Sequence, residues 1–320
     1  MSGKASAYFL VGPTASGKTA VAEALARRTG AYVLSADSML VYRGMDVGTA
    51  KPGPDERACG RLRGVDVADP DEPFSTGLWL EEAKRTFAEA EREGRDVIVA
   101  GGTGLYVSAL LHGIDEPPAP PEVRAEVEAV EREGGIAALV ARAEALCRGA
   151  VAAVDIANPR RIKRLVEILL CGGKPPKKRE KGEPDPVTRD HPLAGLDFPP
   201  ESLSRRIEKR ALAMFGGEAL AREVERLVSL YPGFASSTAG AGIGYAEALA
   251  FLRGEIGIKE AVERIAARTR RLAKRQRTWW RTQAFVEWVR GPEDGSDVER
   301  AARDVAAVWA KHGKTPVVLP

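Results

Sequence analysis

The chain has 320 residues, 44% hydrophobic and 29% charged, the make-up of one large or two smaller globular domains. No apolar run approaches the ~18 residues of a membrane span, and no apolar stretch behind Met1 marks a signal peptide. Three cysteines and three histidines leave a disulfide framework, a zinc cluster or a Ser/His/Asp triad hard to assemble, and a formal charge of +3 says little until its distribution is read.

Ala7 to Val11 reads as a strand, followed by a Gly-rich turn and a helix from about Lys18 to Arg28 that Gly30 ends. A second strand, Ala31 to Leu34, leads to Asp37. A helix from about Thr76 to Glu93 stops at Gly94, and Asp96 to Ala100 is a short strand entering Gly101-Gly102-Thr103-Gly104. Strands alternating with helices imply βαβ units and a parallel sheet. Asp115 to Pro121 is a Pro-rich boundary; helical patterns follow at about 122–133, 135–148 and 159–171. Gly172 to Pro200, with many Pro, Lys, Arg and Asp residues, reads as a linker. From Glu201 the pattern is mainly helical, with a last strand expected at Pro316 to Leu319. The expected division is a core of 1–114 and 196–320 with a helical insert of 115–195.

Gly12-Pro13-Thr14-Ala15-Ser16-Gly17-Lys18-Thr19 fits G-x-x-x-x-G-K-[ST] between a strand and a helix. In that context backbone N–H groups and the helix N-terminus converge on phosphate oxygens. Lys18 adds a movable cation, and the Thr19 hydroxyl can ligate Mg²⁺. The loop indicates a diphosphate or nucleotide, not a reaction. An ATPase or a kinase would carry a further strand ending in a Mg²⁺-binding Asp. The one strand expected to end in a carboxylate is the second, at Asp37.

Asp37 to Pro52 (DSMLVYRGMDVGTAKP) is long and unusual. Together with the loop before it and Gly101 to Tyr106 after it, it strongly resembles the tRNA dimethylallyltransferases, also called tRNA isopentenyltransferases. Arg160 to Arg164, Leu203 to Ile207 with Arg210 and Met214, Gly242 to Tyr245, and Lys274 to Arg281 resemble further motifs of that family. The matches run from about residue 8 to 281. The resemblance implies an α/β fold, a P-loop NTPase-like parallel sheet flanked by helices with a helical insert domain. It also implies a reaction: the dimethylallyl group of dimethylallyl diphosphate passes to N6 of the adenosine just 3′ of the anticodon in tRNA. Diphosphate leaves and Mg²⁺ assists. The expected setting is a cytoplasmic monomer with no membrane partner.

Negative charge grows on the departing diphosphate, so prearranged positive charge is the main requirement. The loop, Lys18, Mg²⁺ on Thr19 and a distal arginine would supply it. Arg206 is the choice for that arginine; Arg210, one helical turn on, faces the same way. The adenine amine is a weak nucleophile, and a carboxylate accepting its N–H bond would act as general base. The resemblance assigns this to Asp37. Thr103, after two glycines at a strand end, is a hydrogen-bond partner for the base or for Asp37. A stacked adenine cannot reach such a crevice, so the nucleotide must be turned out of its loop.

Residues 259–281 hold nine Lys or Arg against two Glu, so the basicity of the chain is local. Ile258, Val262, Ile265, Leu272 and Trp279 follow helical spacing and would pack inward; Trp280 could stack on a base or simply pack. The expected tRNA contacts are Asp37, Ser38, Met39, Leu40 and Thr103 at the crevice, and Arg160, Arg161 and Arg164 on the insert. Gly244, Tyr245, Lys274, Arg275, Gln276, Arg277 and Arg281 complete them. The chain departs from the family pattern at Leu40, often Gln, at Leu62-Arg63, where a histidine pair is usual before a strand expected at Val65-Asp66-Val67, at Asn158, usually Asp, and by one extra residue near Gly216-Gly217.

Overall fold

In the computed structural model, which describes residues 5–58, 60–114, 119–176 and 185–320, the apolar runs become strands buried on both faces. The first part of the chain forms β1 (Ser6–Val11), α1 (Lys18–Thr29), β2 (Tyr32–Ser35), α2 (Pro54–Ala58), β3 (Leu62–Arg63), α3 (Thr76–Glu93), β4 (Val97–Gly101) and α4 (Gly104–His112). Two helices follow, α5 (Pro121–Leu146) and α6 (Pro159–Leu170). The last part forms α7 (Pro186–Asp190), β5 (Leu193–Asp197), α8 (Pro200–Phe215), α9 (Ala219–Leu230), α10 (Tyr245–Leu252), α11 (Ile258–Gln283), β6 (Val286–Arg290), α12 (Val298–His312) and β7 (Thr315–Pro316).

Six strands pair in parallel in the order β3-β2-β4-β1-β5-β6, and β7 lies antiparallel to β1. The expected α/β architecture is therefore present. Phe9 and Val11 of β1 join one core with Leu34, Val99 and residues of α3, α4, α8 and α11. Leu10, between them, joins the other with α1 and α12. Alternation sends neighbours to opposite faces, and helices cover both, so the strands read as continuous apolar runs.

Residues 114–183 form a separate helical unit with its own core of Val127, Leu139, Ala143, Ile162, Leu165 and Val166. Gly135 (φ 61°) breaks α5 where two helical patterns were expected. The C-terminal boundary expected at 195 is corrected. Residues 185–195 belong to the core, because β5 pairs with β1 and β6 inside the sheet. The linker reading of 172–200 fails for the same reason, although 177–184 lie outside the described residues. The strand expected at 65–67 stands at Leu62–Arg63, and the last strand is Thr315–Pro316.

Candidate active site

The order β2-β4-β1-β5 makes β1 a switch point: its neighbours in space come much later in the chain. Ligands of such sheets sit beyond the C-terminal strand ends, where the loops part. The turn 12–17, Asp37, Gly101–Thr103 and Asp197 follow the C-terminal ends of β1, β2, β4 and β5.

Gly12 sits so close to β5 that a Cβ would lie 2.3 Å from the Leu196 carbonyl oxygen, which only glycine permits. Lys18 folds back over the turn and donates to Pro13 O at 2.6 Å. Burial strips water from its ammonium and lowers its pKa to about 8; Asp37 pulls it up, Arg210 pushes it down and Asp197 pulls it up.

Asp37 is fixed by the strand end before it. The Trp79 indole donates to Ser35 O at 2.8 Å, Ala36 N donates to Ala100 O at 2.8 Å, and Thr103 N donates to Ala36 O at 3.0 Å. The carboxylate accepts the Met39 amide at 2.9 Å and stays half-buried. Thr103 Oγ1 accepts the Ser38 amide at 3.1 Å, which ties the two strand ends together.

The two arginines of α8 make different contacts. Arg206 Nε donates to Ala15 O at 2.9 Å, and its Nη1 donates to Pro292 O and Glu293 O at 3.0 and 2.7 Å. Its guanidinium lies over Phe198, so it braces the outside of the turn. Arg210 is the cation within electrostatic reach of both Lys18 and Asp37. Burial lowers its pKa against the pull of Asp37, and its buried Nε has no hydrogen-bond partner among the described residues. An unsatisfied donor of this kind is costly and suits an anion that arrives from outside.

Asp197 corrects a second expectation, since β5 also ends in a carboxylate. Arg277 grips it through Nε at 3.1 Å and Nη2 at 2.5 Å, and Arg281 stands 3.5 Å away. The apolar run Leu193-Ala194-Gly195-Leu196 before an Asp was the signal; its Pro- and Lys-rich approach masked it. Gln276, also on α11, accepts the Thr14 amide at 2.7 Å and donates to Gly102 O at 3.1 Å. Gln276 and Arg277, expected at a tRNA surface, are thus engaged in holding the crevice.

The IPP transferase family model matches residues 40–283, and an isopentenyl transferase model matches residues 5–63. The chain belongs to the IPP transferase family. It is 41% identical to a tRNA dimethylallyltransferase of Anaeromyxobacter dehalogenans, over 91% of this chain and 97% of that one. Identity to the tRNA dimethylallyltransferase of Thermomicrobium roseum is 39%, over 92% and 91%. Among solved structures, the tRNA isopentenylpyrophosphate transferase of Bacillus halodurans superposes with a TM-score of 0.66 at 31% identity, covering 95% of this chain and 97% of that one. A eukaryotic dimethylallyltransferase acting on tRNA shares the fold, with a TM-score of 0.72 at 21% identity over 97% and 80% of the two chains. This is a family of prenyl transferases.

The residues expected to face tRNA divide into exposed and enclosed sets. Ser38, Lys274, Arg275 and Arg281 are exposed on the core unit, and Arg160 and Arg161 are exposed on the helical unit. Arg164 pairs with Glu167 at 3.1 Å. Leu40 is 7% exposed and Tyr245 fully buried, so neither offers a surface to a base. Gly244 caps α10 with φ 94°. The tryptophans both pack against the core, to different depths. Trp280 is buried in the core, while Trp279 is half-buried, its ring against Gly104 at the mouth of the crevice. No helix among the described residues is long and apolar enough to cross a membrane.

Proposed function

We propose that the chain transfers the dimethylallyl group of dimethylallyl diphosphate to N6 of the adenosine 3′-adjacent to the anticodon of tRNA. The observation that carries this reading is that one carboxylate, Asp37, shares a crevice with two desolvated cations, Lys18 and Arg210. Cations at one end and a base at the other are what displacement of diphosphate by an amine requires.

The bond from the allylic carbon to the diphosphate oxygen breaks, and its electron pair leaves with the diphosphate. The loop amides from Ala15 to Thr19, Lys18 and Arg210 receive that charge, and Arg206 holds the turn in shape. The new bond joins the allylic carbon to N6, and Asp37 takes the N6 proton. Thr103 keeps Asp37 and its turn in register through Ser38. The adenosine reaches Asp37 turned out of its stack, with the Trp279 ring at the mouth as its apolar wall.

The donor chemistry fits Mg²⁺ carried on the diphosphate. A hydroxyl, Thr19, opens α1 beside the loop, and the described residues hold no group of three His, Cys, Asp or Glu that would keep a resident metal. When bound, the ion would neutralise diphosphate oxygens. Lys274, Arg275 and Arg281 on α11, and Arg160, Arg161 and Arg164 on α6, meet tRNA phosphates and set its position without reading bases. The unpaired Cys147 and Cys171 support a reducing, cytoplasmic setting.

The test is nucleoside mass spectrometry after incubation with dimethylallyl diphosphate, Mg²⁺ and tRNA. The expected product is N6-dimethylallyladenosine at that one position. Transfer to free AMP in place of tRNA, or no transfer by folded protein, would overturn the reading.

A further inference from the structure

Glu223, on α9, has no part in the mechanism above, yet it is 8% exposed and fully hydrogen-bonded. Its Oε2 accepts the amides of Asp46 and Val47 at 3.0 and 2.8 Å. Its Oε1 accepts the Gly48 amide at 3.3 Å and the Tyr245 hydroxyl at 2.7 Å. A buried carboxylate is costly unless its lone pairs are met, and three successive amides form the kind of concavity that anions occupy. Here the protein's own side chain fills it.

The turn is held from several sides. A Cβ on Gly48 would lie 2.5 Å from the Tyr245 ring, so the glycine is pressed flat against that ring. Asp46 is tied to Arg57 at 2.9 Å and to the buried Lys51 ammonium at 3.2 Å. The turn's free carbonyl, Gly48 O, accepts from Arg210 Nη2 at 3.4 Å. That long bond is the only one Arg210 makes among the described residues. Arg206, one helical turn earlier, touches Ala15, so this face of α8 points at the phosphate loop.

We infer that Glu223 is a positioning residue: by fixing the 46–48 turn it aims Arg210 at the diphosphate. The inference rests on the diphosphate site proposed above. A general support for α9 would act on stability alone. A residue acting through Arg210 loses its effect once Arg210 is gone.

The experiment is a double-mutant cycle on the full chain, read by calorimetric binding of inorganic pyrophosphate and by kcat. Glu223→Gln keeps the shape but turns one acceptor into a donor that faces backbone amides. It is expected to weaken pyrophosphate binding about tenfold and to lower kcat by about the same factor, in line with partial loss of one anion-facing donor. In an Arg210→Ala background the same change is expected to alter pyrophosphate affinity by less than about twofold. Equal losses in both backgrounds overturn the inference. Tyr245→Phe, which removes only one of the four bonds, serves if Glu223→Gln does not fold. Its smaller loss should also vanish without Arg210, and a loss that persists overturns the inference. Pyrophosphate binding needs neither tRNA nor prenyl donor. A wild-type protein that prenylates no tRNA yet gives the non-additive cycle refutes the proposed reaction and leaves the positioning role standing.

Discussion

Gln276 of the basic helix α11 holds the Thr14 amide of the phosphate loop at 2.7 Å, across 262 residues of sequence. Its other end donates to Gly102 O at 3.1 Å, beside Thr103. One neutral side chain thus links the helix proposed to meet tRNA with both strand ends that frame the chemistry. A diphosphate entering the loop meets an amide already engaged. Gln276→Glu keeps the length but adds a negative charge there. Inorganic pyrophosphate should then bind about tenfold or more weakly, as expected for a like charge near an anion site. Unchanged affinity in a calorimetric titration would place the anion elsewhere.

Asp37→Asn removes the proton acceptor and keeps the shape. The transfer rate should fall by about 10²–10⁴, the range for a positioned general base. The affinities for tRNA and pyrophosphate should stay within about twofold. Single-turnover kinetics on folded variant with excess enzyme reads the rate directly. A loss confined to tRNA affinity would make Asp37 a contact and not a base.

The depressed Lys18 pKa gives a pH test with a definite sign. Folded Lys18 loses its proton at about 8, against 10.5 for an ordinary lysine. Between those values the unfolded chain binds more protons, so the cost of burying this ammonium, full below pH 8, is relieved as pH rises. The anion site loses its cation over the same window. Pyrophosphate affinity should therefore fall above pH 8, by up to about tenfold per pH unit, and Lys18→Arg should remove that break. An identical profile for the two proteins would show that the titrating group is another.

The arginines and lysine of α11 should respond to substitution in two ways. Lys274→Ala or Arg275→Ala, at exposed positions, should weaken tRNA binding and lower the salt slope by about one, leaving pyrophosphate affinity alone. Arg277 and Asp197 are only 15% and 13% exposed at 2.5 Å, so Arg277→Ala leaves this carboxylate with the more distant Arg281, at 3.5 Å, as its ion-pair partner. It should cost about 3 kcal/mol of stability in denaturant unfolding. Should Arg277→Ala instead lower the salt slope with no change in unfolding, Arg277 is a tRNA phosphate contact and not a brace of the crevice.

The sequence made the phosphate loop, the strand end at Asp37 and the basic helix legible because each depends on local chemistry: glycine where backbone crowds, a carboxylate after an apolar run, charge at one helix face. What it concealed depends on partners distant in sequence. Arg206 and Arg210 are equivalent on a helical wheel, and only the carbonyls of Ala15 and Pro292 tell them apart. Trp280 is the more deeply buried of the two tryptophans because the inward face of α11 is carried by Ala261, Ile265, Ala273 and Trp280. Alanine is a faint apolar signal, and Leu272 pointed to the neighbouring phase. β5 and β6 are five residues each and follow a Pro-rich stretch and a long helix, so neither shows enough alternation to register. Tyr245 sits in a motif expected at the surface, yet its ring is buried against Gly48, a partner 197 residues away in sequence.

The place of β1 in the sheet has a consequence for how the chain is made. One edge of this strand pairs with residues 98–101, and the other with residues 194–195. At about 5–20 residues per second, the ribosome leaves the second edge bare for roughly 5–20 s. A nascent chain halted in that interval displays an open apolar strand, with its phosphate turn not yet braced by Arg206 or Gln276. Translational pausing over the helical unit therefore lengthens the time for which this apolar edge stays open to pairing with another chain.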